Sequence, residues 1–222
     1  QSYYNRGSNS VSVFHQNSFR KMHILGFAIV LVVFSLAQAQ YETEVNEETP
    51  YTVVKTIPVK TVDGDWTIEE RDYPAAKWVC HETDRPNSRS QRKSFFSLFK
   101  YIVGTNADGA EIPMTAPVSM QKDAGVYRMC FYLPAAHQAA PPAPTDADVF
   151  IQDRPSMTVV TRTFGGFATK DSHWETEAKD LKDALQKAGE DKAVDFSTYY
   201  RAGYDAPTTF VGRRNEIWYV KN

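Results

Sequence analysis

Residues Trp66 to Lys77 read W-T-I-E-E-R-D-Y-P-A-A-K, and residues Met157 to Ala168 read M-T-V-V-T-R-T-F-G-G-F-A. Set end to end, the two windows match Thr67 with Thr158, Ile68 with Val159, Arg71 with Arg162 and Tyr73 with Phe164. Each has the apolar-polar pattern of a strand, followed by a turn at Pro74-Ala75 or Gly165-Gly166 and a return strand. A helix candidate follows in both. Further strands at Ile112–Val118 and Val126–Leu133 complete the first unit, and Phe196–Tyr204 and Asn215–Val220 complete the second. The matching order predicts an α+β fold, two β-β-α-β-β halves (about 50–134 and 145–222) sharing a mainly antiparallel sheet or distorted barrel. Between them runs Pro134 to Pro144, whose prolines suit an extended connector rather than a ladder.

The second helix is an ordinary amphipathic one. Ser172 and Glu175 have the spacing of a capping box, and Trp174, Ala178, Leu181, Leu185 and Ala188 follow at helical intervals before Gly189. Glu175 with Lys179, and Asp183 with Lys187, are expected to pair on its outer face. The first helix, about Ser90 to Val103, has two apolar stripes. Phe95, Leu98 and Ile102 form a core stripe, and Phe96, Phe99 and Val103 form a second one about a quarter turn away. Arg92 lies one turn before Phe96, and Lys100 flanks the stripe one turn after. Two cations ~12 Å apart along the axis thus bracket an aromatic surface. Read alone, the helix allows two outcomes: both stripes are core and the cations snorkel, or the second stripe receives a flat apolar ligand with acidic edges.

The chain has 222 residues, 25 basic against 27 acidic, and 42% hydrophobic residues. Such a balance suits a globular domain, and a net charge of −2 argues against a nucleic-acid binder. Residues 1–21 precede the first methionine and are read as translated upstream sequence. In residues 22–39 an apolar run from His23 to Leu36 follows Arg20-Lys21 and ends in Ala37-Gln38-Ala39. That is the form of a secretory signal peptide, with an uncleaved anchor as the alternative. A single mature domain, 40–222, is expected, exported and with no stable membrane insertion after cleavage. Cys80 and Cys130 sit in strand-like segments and could pair in an oxidising compartment or remain two thiols. His81, His137 and His173 have no metal-ligand spacing and are read as surface residues. No nucleophile elbow, carboxylate pair or phosphate loop proposes an enzyme, and no metal site is expected.

Several segments resemble the SOUL heme-binding proteins. They are Glu70-Arg71-x-Tyr73-Pro74-Ala75-Ala76-Lys77-Trp78, Tyr101-Ile102-x-Gly104-x-Asn106, Met114-Thr115-Ala116-Pro117-Val118 and Pro141-Pro142-Ala143-Pro144. To these add Phe164-Gly165-Gly166-Phe167, Tyr199-Tyr200-x-Ala202-Gly203-Tyr204 and Arg213-Arg214-Asn215-Glu216-Ile217-Trp218. The resemblance runs from about Pro50 to Asn222. It implies a distorted antiparallel β-barrel of two pseudo-symmetric halves with two flanking helices, and a monomeric, non-enzymatic carrier, buffer or scavenger of heme, other porphyrins or bilins. In one branch of the family, basic residues beside the first helix face the propionates, and two of them match Arg92 and Lys100. A third falls at Thr209, with Arg213 and Arg214 nearby. The implied contact set is Arg92, Phe95, Phe96, Phe99, Lys100, Val103, Thr209 and Phe210. The other branch has a proposed axial histidine where this chain has Asp72, so heme is expected non-covalently and without an axial histidine. The alternative is an extracellular interaction or matrix protein that keeps the fold without the ligand.

Overall fold

The window at Trp66–Tyr73 is strand β3, and its counterpart at Met157–Phe164 is β9, so the two quoted segments form elements of equal length. They pair with each other, antiparallel, from Ile68 opposite Arg162 to Tyr73 opposite Met157. The computed structural model describes residues 46–222 except 63, 85, 86 and 124. The upstream segment and the signal-peptide candidate lie outside the described residues. Asn46–Asn222 clusters as one unit.

In chain order the other strands are β1 Glu47–Glu48, β2 Thr52–Val59, β4 Ala76–Thr83, β5 Thr115–Ala116, β6 Val118–Asp123, β7 Val126–Tyr132, β8 Val149–Arg154, β10 Val194–Gly203 and β11 Asn215–Lys221. Helix α1 spans Ser88–Ile102 and α2 spans Asp171–Ala188. Nine strands form one antiparallel sheet in the order β2-β3-β9-β11-β10-β6-β7-β4-β8, and β1 pairs with β5 in a small parallel ladder. The α+β class therefore holds. The expected barrel does not close, because β2 pairs only with β3 and β8 only with β4.

The sheet is nonetheless strongly rolled. β8 and β10 are four ladder steps apart, roughly 19 Å in a flat sheet, yet Arg154 on β8 sits 5.0 Å from the ring centroid of Tyr200 on β10. Rolling buries the face away from the helices, with Trp78, Cys80, Cys130, Tyr132, Tyr73 and Trp218 nearly solvent-free. Cys80 and Cys130 are directly opposite on β4 and β7 and form a disulfide, with Cα atoms 4.1 Å apart. The expected duplication also fails in side-chain facing. Ile68 packs against α2, whereas its aligned partner Val159 faces the other way, against Tyr73 and Trp218. No return strand follows Gly165-Gly166, and β8 at the sheet's end was given no place by the pattern.

Both helices pack on the same sheet face. Leu98, Tyr101 and Ile102 of α1 meet Val79, Met129 and Phe131, while Trp174, Ala178, Leu181 and Leu185 of α2 meet Ile68, Val160, Ile217 and Tyr219. The N-cap of α2 is Lys170, without a side-chain cap, and not the expected Ser172; Ser172 lies inside the first turn. Its expected ion pairs are replaced by Lys179 with Asp183, and Ala188 is exposed. Gly189 does end the helix, at φ 71°. The Pro134–Pro144 connector is not simply extended. It forms a 3-10 turn at Ala135–His137, and Gln138 donates to the Lys77 and Leu133 carbonyls.

Candidate functional site

Helix α1 starts at Asn87, whose Oδ1 accepts from the amides of Arg89 and Ser90 at 3.0 Å, while Ser90 Oγ accepts from the Asn87 amide at 2.9 Å. It stops at Gly104, φ 100°, where a Cβ would lie 3.4 Å from the Gly109 carbonyl oxygen. Asn106 fixes the turn that follows. Its Nδ2 donates to the carbonyls of Tyr101 at 2.8 Å and Ala110 at 2.7 Å, and its Oδ1 accepts from the Ala110 amide at 3.0 Å. The Tyr101 hydroxyl donates to the Pro142 carbonyl at 2.8 Å, and burial raises its pKa to about 12. Two of the quoted motifs are thus one lock that fixes the end of α1 to the connector.

The two stripes separate as the periodicity predicts. Leu98 and Ile102 are buried, whereas Phe96 is 58% exposed, Phe99 40% and Val103 50%. Phe95 bridges them, half-buried, with its ring 5.4 Å from Phe131 and 6.0 Å from Phe99 in a near-parallel stack. Arg92 and Lys100 are exposed, and neither has an ion-pair partner among the described residues. Lys93 is engaged with Asp148. With Arg89, the helix carries four basic residues and no acid. Among the described residues, an exposed aromatic strip thus lies between two cations without ion-pair partners.

Thr209 and Phe210 lie on the loop before β11. Among the described residues no ring or hydrogen-bond contact joins them to α1; the Phe210 ring meets that of Phe167 at a tilt, 6.2 Å between centroids. Arg213 holds their loop by donating to the carbonyls of Ala206, Thr209 and Asp205, and packs over Phe167. Arg214 is taken by Glu48 and the ring of Tyr204. Neither arginine is left to replace a basic residue at Thr209. Asp72 sits on β3, accepts from Thr158 Oγ1 at 2.6 Å, and borders an open cavity of about 540 Å³ with Tyr51, Pro74 and Met157. That cavity contains no residue of α1.

His81 is not the surface residue expected. It is 2% exposed beneath α1, with Nδ1 3.1 Å from Ser94 Oγ and a buried, unpartnered Nε2. Burial is the largest cause lowering its pKa, with Lys93 adding to it. Other quoted motifs meet at Glu216, which is also buried. Arg71 donates to it at 2.9 and 3.3 Å, Tyr204 Oη and Trp218 Nε1 at 2.7 Å. Burial and the Glu216 charge push the pKa values of Tyr73 and Tyr204 up. No cluster of three metal-ligating side chains occurs among the described residues, and no described helix is long and apolar enough to cross a membrane.

The family model described as SOUL heme-binding protein matches residues 46–220. Mouse "Heme-binding protein 1" is 36% identical over 168 residues, covering 71% of this chain and 85% of the relative. Human "Heme-binding protein 2" is 35% identical over 163 residues, covering 70% and 78%. Among solved structures, the EcmrR C-terminal domain superposes with a TM-score of 0.50 at 12% identity, covering 71% of this chain and 98% of that one, which is a likeness of fold alone. Matched over 46–220 by the family model and over most of the length of these relatives, the chain belongs to the SOUL heme-binding protein family.

Proposed function

We propose that this protein binds heme or a related porphyrin or bilin on the exposed face of α1 and acts as a secreted carrier, buffer or scavenger. One observation carries the reading: Phe96, Phe99 and Val103 stand exposed between the unpaired Arg92 and Lys100. A flat apolar macrocycle covers the strip, and its carboxylates meet the cations at the edge. The names of the relatives support the ligand class. The exposed side of α1 has no histidine, cysteine or methionine, and His81 lies beneath the helix, so binding there needs no bond from protein to iron. The group would bring its own iron chemistry, while the chain adsorbs the ring and pairs its carboxylates. Affinity is then modest and exchange fast, as suits a carrier.

Export rests on the signal-like segment, supported by the buried Cys80–Cys130 disulfide, a bond that persists in oxidising compartments. A second reading, an extracellular interaction protein without the ligand, draws on Thr209 and on the engagement of Arg213 and Arg214 within their own loop. Titration of hemin into the full chain, followed by the Soret band and tryptophan fluorescence, separates the two. Saturable one-to-one binding weakened by Arg92→Glu supports the carrier. A response no steeper than that of an unrelated acidic protein selects the interaction protein. A sharp low-spin, bis-ligated spectrum would overturn binding without an axial ligand.

A further inference from the structure

Among the described residues, the arginines enclosed by this fold are compensated, with one exception. Arg71 meets Glu216 at 2.9 Å, Arg201 meets Asp171 at 2.6 Å, and Arg162 meets Glu177 and Asp180 at 2.9 and 3.0 Å. Arg154 is as buried as these, at 5% exposure, and no carboxylate of the described residues lies within ion-pair distance. It stands on β8, on the sheet face away from both helices. All its contacts are neutral. Nη1 donates to Ser119 Oγ at 3.1 Å and Nε to Gln152 Oε1 at 3.3 Å, while the rings of Trp78 and Tyr200 lie 4.1 and 5.0 Å from its Cζ. A charge of its own sign that acts on it is Arg128, itself paired with Glu82.

A guanidinium stripped of water and given no opposite charge is a costly group. Burial lowers its pKa to about 10, which still leaves it charged at neutral pH. Among the described residues only the rings of Trp78 and Tyr200 offset the charge, and no carboxylate does. Of its five N–H groups two are committed, the rings pack on the planar group, and the rest lie in plane at Nη1 and Nη2. An in-plane edge of this kind matches the two oxygens of a carboxylate. We propose that Arg154, with Ser119 and Gln152, anchors a carboxylate-binding site on the helix-free face of the sheet, separate from the strip on α1. The site is independent of tetrapyrrole binding. The carboxylate belongs either to a small free acid or to a larger ligand that carries one.

The test uses the full chain at constant ionic strength. [1-¹³C]acetate is titrated while the Arg154 Nε–H resonance, assigned with Arg154→Lys, is followed by NMR. Saturable movement of that resonance, with matching broadening of the acetate signal, is expected. Arg154→Met, which fills a similar volume without charge, should bind acetate about tenfold more weakly or not at all. Should Arg154→Met fail to fold, the wild-type resonance still decides. A second arm uses benzoate and N-acetylglycine. Movement with acetate identifies a free small acid as sufficient, and movement only with the second pair assigns the carboxylate to a larger ligand. An Arg154 resonance that none of the three moves, or acetate broadening unchanged in Arg154→Met, overturns the site.

Discussion

Helix α2 buries all three of its large apolar residues, Trp174, Leu181 and Leu185, whereas α1 buries Leu98 and Ile102 and leaves Phe96 and Phe99 outside. Both lie on the same face of one sheet, so the sheet does not impose the difference. Their charges differ as well. The outer face of α2 mixes acids and bases, and α1 carries bases alone. A helix that only has to cover a core has no use for a second aromatic stripe, since exposed apolar surface costs solubility. Under the proposed function, α2 serves stability and α1 serves stability plus recognition.

Trp174→Ala should hit hardest. It empties a buried site and removes the Trp174 Nε1 bond to the Ala168 carbonyl, 2.8 Å long, at a cost of about 3–5 kcal/mol. Denaturant unfolding should register that loss, while hemin affinity per folded molecule stays the same. Reversing both charges on α1, with Arg92→Glu and Lys100→Glu, should do the opposite. Hemin affinity drops about tenfold or more, and the denaturation midpoint barely moves. An unchanged affinity in that double variant would erase the functional half of the contrast.

A smaller effect separates the helices by pH. His81 is buried neutral under α1, so its folded pKa lies below the unfolded 6.5. Below that value the unfolded chain binds the extra proton, and the contribution of His81 to stability is full above 6.5 and fades as pH falls toward its folded pKa. Hydrogen exchange at about pH 7.5 and about pH 5.5 should show protection falling more in α1 than in α2. Replacing His81 by Phe should flatten that difference. Smallest of all is the stability change in Phe96→Ser, expected within about 0.5 kcal/mol because its ring is already in solvent. Weaker hemin binding by the same variant would sharpen the assignment of the strip.

The split between the two stripes was legible because helical periodicity is local and the exposed stripe keeps the angle the sequence sets. The cap of α2 was not. The Ser172-x-x-Glu175 pattern lost to a start two residues earlier, where the Asp171 carboxylate is taken by Arg201 from β10. His81 was misread for a related reason: its neighbour Ser94 comes from α1, and alternation along β4 reveals facing but not what lies on that side. The family motifs at Arg71, Tyr204 and Glu216 could be recognised in the sequence, yet their meeting at one buried carboxylate depends on strand pairings across the whole sheet. Arg154 carried no signal at all, since its isolation is a property of the rolled sheet.

An unclosed sheet also has two rims, and the one at β2 is almost wholly in solvent. Eight residues of exposed strand would ordinarily invite a neighbour to add its own and start a fibre. Here the ladder shifts register between Val53 and Lys55, Pro58 offers no amide proton, and Lys55 stands charged against Glu190. A strand arriving from another molecule would meet a kink, a missing donor and a cation within one rim, which makes β2 a poor template for aggregation even though the barrel never closes.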